Sequence, residues 1–174
     1  TLQSCASALA LCSSSSIGSD ENRGNSAYQT DVAIDSAKDR SVVVSTNPSD
    51  RMRSAVFVCN ARGESCVYRA PSGDEPAYSS KPQALLPPGG QRLVTSVVSS
   101  GKVLLSSCSG DGLGCTTTTL AVPGATFDGA ALEHEPGNGR VVVFAFASDK
   151  IHHFRCNPDG NACVHTLLGT LPLT

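Results

Sequence analysis

The chain contains no tryptophan, one methionine, three tyrosines and five phenylalanines among its 174 residues. So thin an aromatic supply speaks against a surface built to stack on sugar rings. Charge is scarce as well. Charged residues make up 16% of the chain, thirteen basic groups stand against fifteen acidic ones, and no basic block occurs. A net charge of -2 so distributed argues against nucleic acid or an anionic membrane as partner. The longest apolar run, Val141 to Ala147, is seven residues, far short of a spanning helix, and no membrane insertion is expected. Thr1 opens the chain without a charged n-region or an apolar h-region, which suits a mature or excised segment. No Asn-x-Ser/Thr sequon occurs, because Asn47 is followed by Pro48. Ser13 to Ser16 and Thr116 to Thr119 are runs that could carry O-linked sugar, but polar strand and loop account for them. Helical periodicity is missing over any stretch longer than ten residues. A phosphate loop, a dinucleotide fingerprint and a Ser-His-Asp order are missing too. No cofactor is expected.

What the chain does have is cysteine. Cys5, Cys12, Cys59, Cys66, Cys108, Cys115, Cys156 and Cys163 form four sequential pairs, each with six residues between its members. Pair starts are separated by 54, 49 and 48 residues. An even count at one repeated spacing reads as a disulfide framework, hence an oxidising compartment and a secreted or cell-surface protein. Zinc sites place their ligands two to four residues apart, and the four histidines do not interleave with these cysteines in any ligand order.

Three cysteine loops share turn chemistry: Asn60-Ala61-Arg62-Gly63, Ser109-Gly110-Asp111-Gly112 and Asn157-Pro158-Asp159-Gly160. Asn or Ser opens the turn, Pro suits its second position, Asp its third, and Gly takes positive φ at the fourth. Structural turn roles therefore fall to Gly63, Asp111, Gly112, Asp159 and Gly160. Apolar residues flank each loop, so each pair is expected to staple two neighbouring antiparallel strands. Cys5 to Cys12 lacks both Gly and Asp and fits the pattern less well.

Two further strands precede each later hairpin. They are Asp31 to Ile34 with Ser41 to Val44, Gln83 to Leu86 with Arg92 to Val98, and Gly129 to Leu132 with Arg140 to Phe146. Four short strands per repeat of about 50 residues predict an all-β, propeller-like fold. It would have about four four-stranded antiparallel blades, the last or first incomplete, with one hairpin disulfide per blade. The expected organisation is a single disulfide-stapled domain over 1–174: a half blade at 1–16, repeats at about 17–70, 71–121 and 122–168, and a tail at 169–174. The Val32, Leu85 and Leu132 strands would lie nearest the axis, and the Cys hairpins would form the least covered outer rim. A β-sandwich also has short strands and frequent turns, but it does not predict a hairpin repeated at fixed phase. The unfinished ends leave three outcomes open: closure into one ring, a cut from a longer array, or strand edges that pair with a neighbouring molecule.

Several segments carry a resemblance. Ala33-Ile34-Asp35, Val42-Val43-Val44 and Cys59-Asn60 through Cys66 resemble extracellular Cys-hairpin β-propeller repeats, as do Val141 to Phe144 and Cys156-Asn157 through Cys163. The likeness covers about three quarters of the chain. It implies a sialidase-like propeller without the Ser-x-Asp-x-Gly-x-x-Trp box, which a chain without tryptophan cannot contain.

Candidate chemistry is sparse. His134 lies between Glu133 and Glu135, and His152-His153 lies near His165. If Cys156 pairs with Cys163 in register, Phe154 faces His165, with His152 one pleat away on the same face. A metal or acid–base site could be built from His152 and His165, although exposed polar positions explain them equally well. Asp111 and Asp159 could bind Ca²⁺, yet neither loop supplies enough alternating oxygens. Asp74-Glu75 or Glu133 with Glu135 could suggest a glycosidase, each lacking a locatable partner acid. The expected function is a non-enzymatic extracellular structural or adhesive module. It would belong to a larger surface or filamentous assembly and bind other protein chains, copies of itself among them, by strand-edge pairing. The alternative is a sialidase-like propeller that binds or hydrolyses a glycan.

Overall fold

A computed structural model describes residues 2–5, 12–15, 29–35, 39–46, 54–60, 67–69, 82–86, 92–109 and 114–170. Every regular element among them is a strand. β1 (Leu2–Cys5) pairs with β2 (Cys12–Ser15) as a two-stranded hairpin that sets Cys5 opposite Cys12. Three four-stranded meanders follow. The first contains β3 (Gln29–Asp35), β4 (Arg40–Thr46), β5 (Ser54–Asn60) and β6 (Val67–Arg69). The second contains β7 (Gln83–Leu85), β8 (Arg92–Ser99), β9 (Lys102–Ser109) and β10 (Thr116–Leu120). The third contains β11 (Gly129–His134), β12 (Val141–Ala147), β13 (Lys150–Arg155) and β14 (Val164–Thr170). Strand order equals chain order in each, and every pairing is antiparallel.

Short turns set these registers. Ser100 and Gly101, with φ of 48° and 72°, join β8 to β9, the two-residue mirror-image turn whose twist matches the strands it connects. A Cβ on Gly101 would lie 2.6 Å from Thr126 Cγ2, so the approach of the next connection also requires glycine there. At the third Cys loop Gly160 N donates to the Asn157 carbonyl at 2.9 Å. The Asn157 side-chain oxygen accepts from Asp159 N at 3.1 Å and Asn161 N at 3.0 Å. That is the Asx-stabilised turn its composition implies, with Gly160 at φ 72° and Asp159 exposed in a turn position.

The meanders pack face to face, with the second in the middle. Its strands bury consecutive residues, Leu93 with Val94 and Val97 with Val98, because a sheet covered on both sides has no polar face. One face places Leu93 and Cys108 against Val42 and Val44 of the first meander. The other places Val94, Val98, Val103 and Leu105 against Val141, Val143, Ala145 and Phe154 of the third. First strands are clipped together as well: Asp31 Oδ2 accepts Ala84 N at 2.9 Å, and Gln83 Oε1 accepts Leu132 N.

One expectation is corrected. The sheets stay open and none is closed or propeller-like, so the resemblance to propeller repeats and their sialidase-like relatives is not upheld. The strand pattern encodes pairing between consecutive strands, which a meander satisfies completely. It does not encode the angle at which one meander meets the next. In the Cys hairpins the inner strand is covered while the outer strand, β10 or β14, is the more exposed one. Cys59, Cys108, Cys156 and Gly160 are buried: Cys108 lies against Val42 and Val44, and the third hairpin tip folds over onto the middle sheet. A Cβ on Gly160 would meet Leu105 Cδ2 and Val94 Cγ1 at 3.4 Å.

A comparison of two glycines separates turn strain from this packing. Gly137 also has positive φ, 91°, but a Cβ there meets nothing within 4 Å. Gly137→Ala is expected to cost about 1 kcal/mol from backbone strain alone. Gly160→Ala should cost clearly more, read as the larger drop in urea midpoint of the oxidised protein. Equal midpoints would show that the hairpin tip does not press on the middle sheet.

Candidate functional site

The cysteine staples come first, because they fix what surrounds them. Cys108 is bonded to Cys115 with S–S 2.04 Å, and Cys156 to Cys163, each pair with Cα atoms 3.9 Å apart. Cys59 is also disulfide-bonded. Its expected partner Cys66, like Gly63, Asp111, Gly112 and Asp74-Glu75, lies outside the described residues. Cys5 and Cys12 stand opposite one another on β1 and β2. No cysteine among the described residues is free.

Closure of the third hairpin sets Phe154 opposite His165 and His152 opposite Leu167. His152, His165 and Phe154 thus share the inner face of the sheet, since facing and alternate residues project to one side. His152 is buried, whereas His165 on the edge strand is exposed. Their rings stack with centroids 5.2 Å apart at 22°, and His152 Nδ1 lies 3.0 Å from His165 Nε2. Phe127 closes the other side of His152 edge-on at 5.3 Å, and Phe154 lies 5.0 Å from His165. His152 Nε2 is buried with no hydrogen-bond partner. The tautomer that buries no unpaired N–H has Nδ1–H of His152 donating to His165 and leaves Nε2 a bare acceptor. Burial, followed by the charges of His165 and Lys150, holds the His152 imidazole below its ordinary range. β12 contributes the uncharged Ala145 opposite His152.

This is a hydrogen-bonded histidine pair in an aromatic corner. The two facing nitrogens already occupy one another, and no group of three His, Cys, Asp or Glu among the described residues could hold a metal ion. His153 points to the opposite face and lies against Phe144 at 5.3 Å. His134 sits apart at the end of β11, its Nδ1 buried and unpartnered.

The carboxylates divide. Glu135 receives Arg155 on both oxygens, at 2.7 and 2.6 Å, and Asn138 Nδ2 at 2.7 Å. Its carboxyl is held below the usual range, first by the Arg155 hydrogen bond and then by Asn138. A glycosidase acid needs the reverse, a carboxyl kept protonated near neutral pH. Glu133 is exposed beside it on β11. Asp159 offers a turn rather than a Ca²⁺ cradle, because the nearby Asn157 side-chain oxygen is committed to backbone amides.

Sequence reasoning missed Phe127. It lies in a connection of Pro, Gly and Thr residues, yet it is among the largest fully buried side chains, and its amide donates to the Gly101 carbonyl at 2.9 Å. The available signal was scarcity: in a chain with five phenylalanines, one set between turns is a candidate plug. Asp31 and Gln83 were missed as clips, and nothing in their local context distinguishes them from ordinary polar strand residues. Comparison with protein families, with curated proteins and with solved structures returned no match.

The histidine corner predicts a pH dependence. As acid is added, the unfolded chain takes up a proton at position 152 near pH 6.5, before the folded chain does. The stability this group contributes is therefore present above about pH 6.5 and lost as the pH falls toward its depressed value. The urea midpoint should decline between pH 7.5 and 5.5, and His152→Phe should flatten that decline. An unchanged slope in the variant would remove His152 as its source.

Proposed function

We propose that this chain is a non-enzymatic extracellular structural or adhesive module that works by association with other protein chains through the free edge of its last sheet. The observation that carries this reading is β14. Among the described residues it pairs with β13 on one side only, and all seven of its residues are exposed. Val164, Leu167 and Leu168 are 68%, 52% and 54% exposed. An edge strand offers unpaired backbone donors and acceptors, and soluble proteins usually guard it with Lys or Pro. β14 reads Val-His-Thr-Leu-Leu-Gly-Thr, with neither, and its one irregularity is a bulge at Leu168. An added strand would gain main-chain bonds along this edge and apolar contact with Leu167.

The disulfides support the compartment. Staples at Cys108–Cys115 and Cys156–Cys163 suit an oxidising, extracellular-type environment, where they persist without turnover by cytosolic thiols. No helix among the described residues is long and apolar enough to cross a membrane. The glycan-hydrolysing alternative gains nothing from Glu135, whose charge is already matched by Arg155.

Light scattering and sedimentation of the oxidised protein test the reading. Concentration-dependent association is expected, and Leu167→Lys should weaken it by placing a charge on the edge. A protein that stays monomeric at every concentration and turns over a glycoside overturns it.

A further inference from the structure

Backbone groups alternate in direction along an antiparallel strand, so one known bond orients its neighbours. The Cys156 amide donates to the Val141 carbonyl at 2.8 Å, toward β12. Phe154 and His152 therefore direct their amides and carbonyls toward β12 as well, and Arg155 and His153 direct theirs toward β14. Arg155 and His153 lie opposite Val164 and Thr166, so those two residues of β14 commit their backbone groups to β13. His165 and Leu167 do not. Their amides and carbonyls point outward from the sheet, along an edge that no strand among the described residues covers. The edge is open from both faces. Leu167, opposite His152 on the inner face, is 52% exposed, and Val164, on the outer face, is 68% exposed. The regular stretch is short: the Cys156–Cys163 staple holds its start, and the register shift after Leu167 interrupts its end.

The outward-pointing residues are symmetric about Thr166, and a strand that matches such a pattern is its own antiparallel copy. We propose that β14 pairs antiparallel with β14 of a second copy of this chain, about a two-fold axis at Thr166. The proposal rests on edge pairing as the protein's work and adds which chain is met and in which register. His165 of each copy faces Leu167 of the other, and each such pair exchanges both of its main-chain bonds. On the inner face an imidazole covers a leucine that is half exposed in the single chain. On the outer face the two Thr166 side chains meet across a closely spaced pair, a favourable cross-strand contact.

Composition agrees with a copy as the partner. β14 contains no Asp, Glu, Lys or Arg, so a second β14 running the other way brings no like charges of those types together. A register centred on His165 is poorer. It sets two imidazoles directly opposite one another and places Leu167 against the stapled stem at Cys163. Centring on Thr166 joins the third meanders of both copies into one continuous sheet. The contact is isologous, so it uses up both edges and closes at a dimer.

The test uses the full oxidised chain in sedimentation velocity and in cross-linking. A monomer–dimer equilibrium without larger species is expected. Leu167→Pro deletes an outward amide that β13 does not use, so it should weaken dimerisation about tenfold or more and leave thermal melting little changed. Thr166→Pro deletes an amide that β13 does use and should lower the melting temperature. Equal melting of the two variants overturns the assignment of the outward groups. Thr166→Cys sets thiols at the closely spaced centre and should give a covalent dimer, which peptide mapping finds linked through position 166 of both copies. In an equimolar mixture of Thr166→Cys with Val164→Cys, a link between positions 166 and 164 overturns this register in favour of the one centred on His165. Association that Leu167→Lys weakens, but that yields no cross-link at position 166, keeps edge pairing and overturns the two-fold at Thr166. A protein that stays monomeric and hydrolyses no glycoside overturns self-pairing and leaves the edge for a different chain. Assembly beyond the dimer overturns closure.

Discussion

The fold depends on apolar contact between the facing sides of successive meanders. A two- to four-stranded antiparallel sheet with one face in water is marginal by itself, and this chain has no helix among its described residues to cover one. Each fully buried Val, Leu or Phe contributes about 1.5–3 kcal/mol. The middle meander buries such side chains on both faces: Leu93 on one, Val94, Val98, Val103 and Leu105 on the other. The first and third meanders take their stability from it. The histidine corner depends on the same contact, since Phe127 and Phe154 belong to the cluster that joins the second and third sheets.

Much of the local structure was legible. Val42-Val43-Val44 and Val141-Val142-Val143 read as strands covered on both sides, and all six residues are buried. Turn composition located Gly160, and the cysteine spacing gave a register that brought His152 and His165 together. These signals act over a few residues and are set by backbone sterics and strand alternation. What failed was global. A period near 50 says that a unit recurs, whereas ring closure depends on the angle between units, and the side chains at each joint determine that. Asp31 and Gln83 hold the joints, yet an Asp or Gln in a strand has no pattern to betray a partner more than forty residues away. Ala162 is another blind spot: it takes positive φ, 49°, at the end of the third Cys loop, where no glycine marks the need.

The chemistry of the site is subordinate to its architecture. Arg155 spans from β13 to Glu135 at the start of the β11–β12 turn, fixing the end of the sheet and committing one of the carboxylates that could have suggested a glycosidase. His152 is placed where a charge is costly, and its partner His165 sits on the edge strand whose exposure defines the proposed association surface. Residues that looked like reagents in the linear sequence are joints, plugs and clamps in the folded chain.

The seven-residue separation between bonded cysteines bears on how the protein matures. The nearest wrong partner is remote: Cys115 and Cys156, for example, stand 41 residues apart. Loop-closure entropy in an unstructured chain favours the short loop over that one by about 1.5 kcal/mol, roughly tenfold or more. Correct bonds are thus preferred before any sheet exists, and they can form hairpin by hairpin. Oxidative folding of this chain needs an oxidant far more than it needs an isomerase to unscramble mispaired thiols.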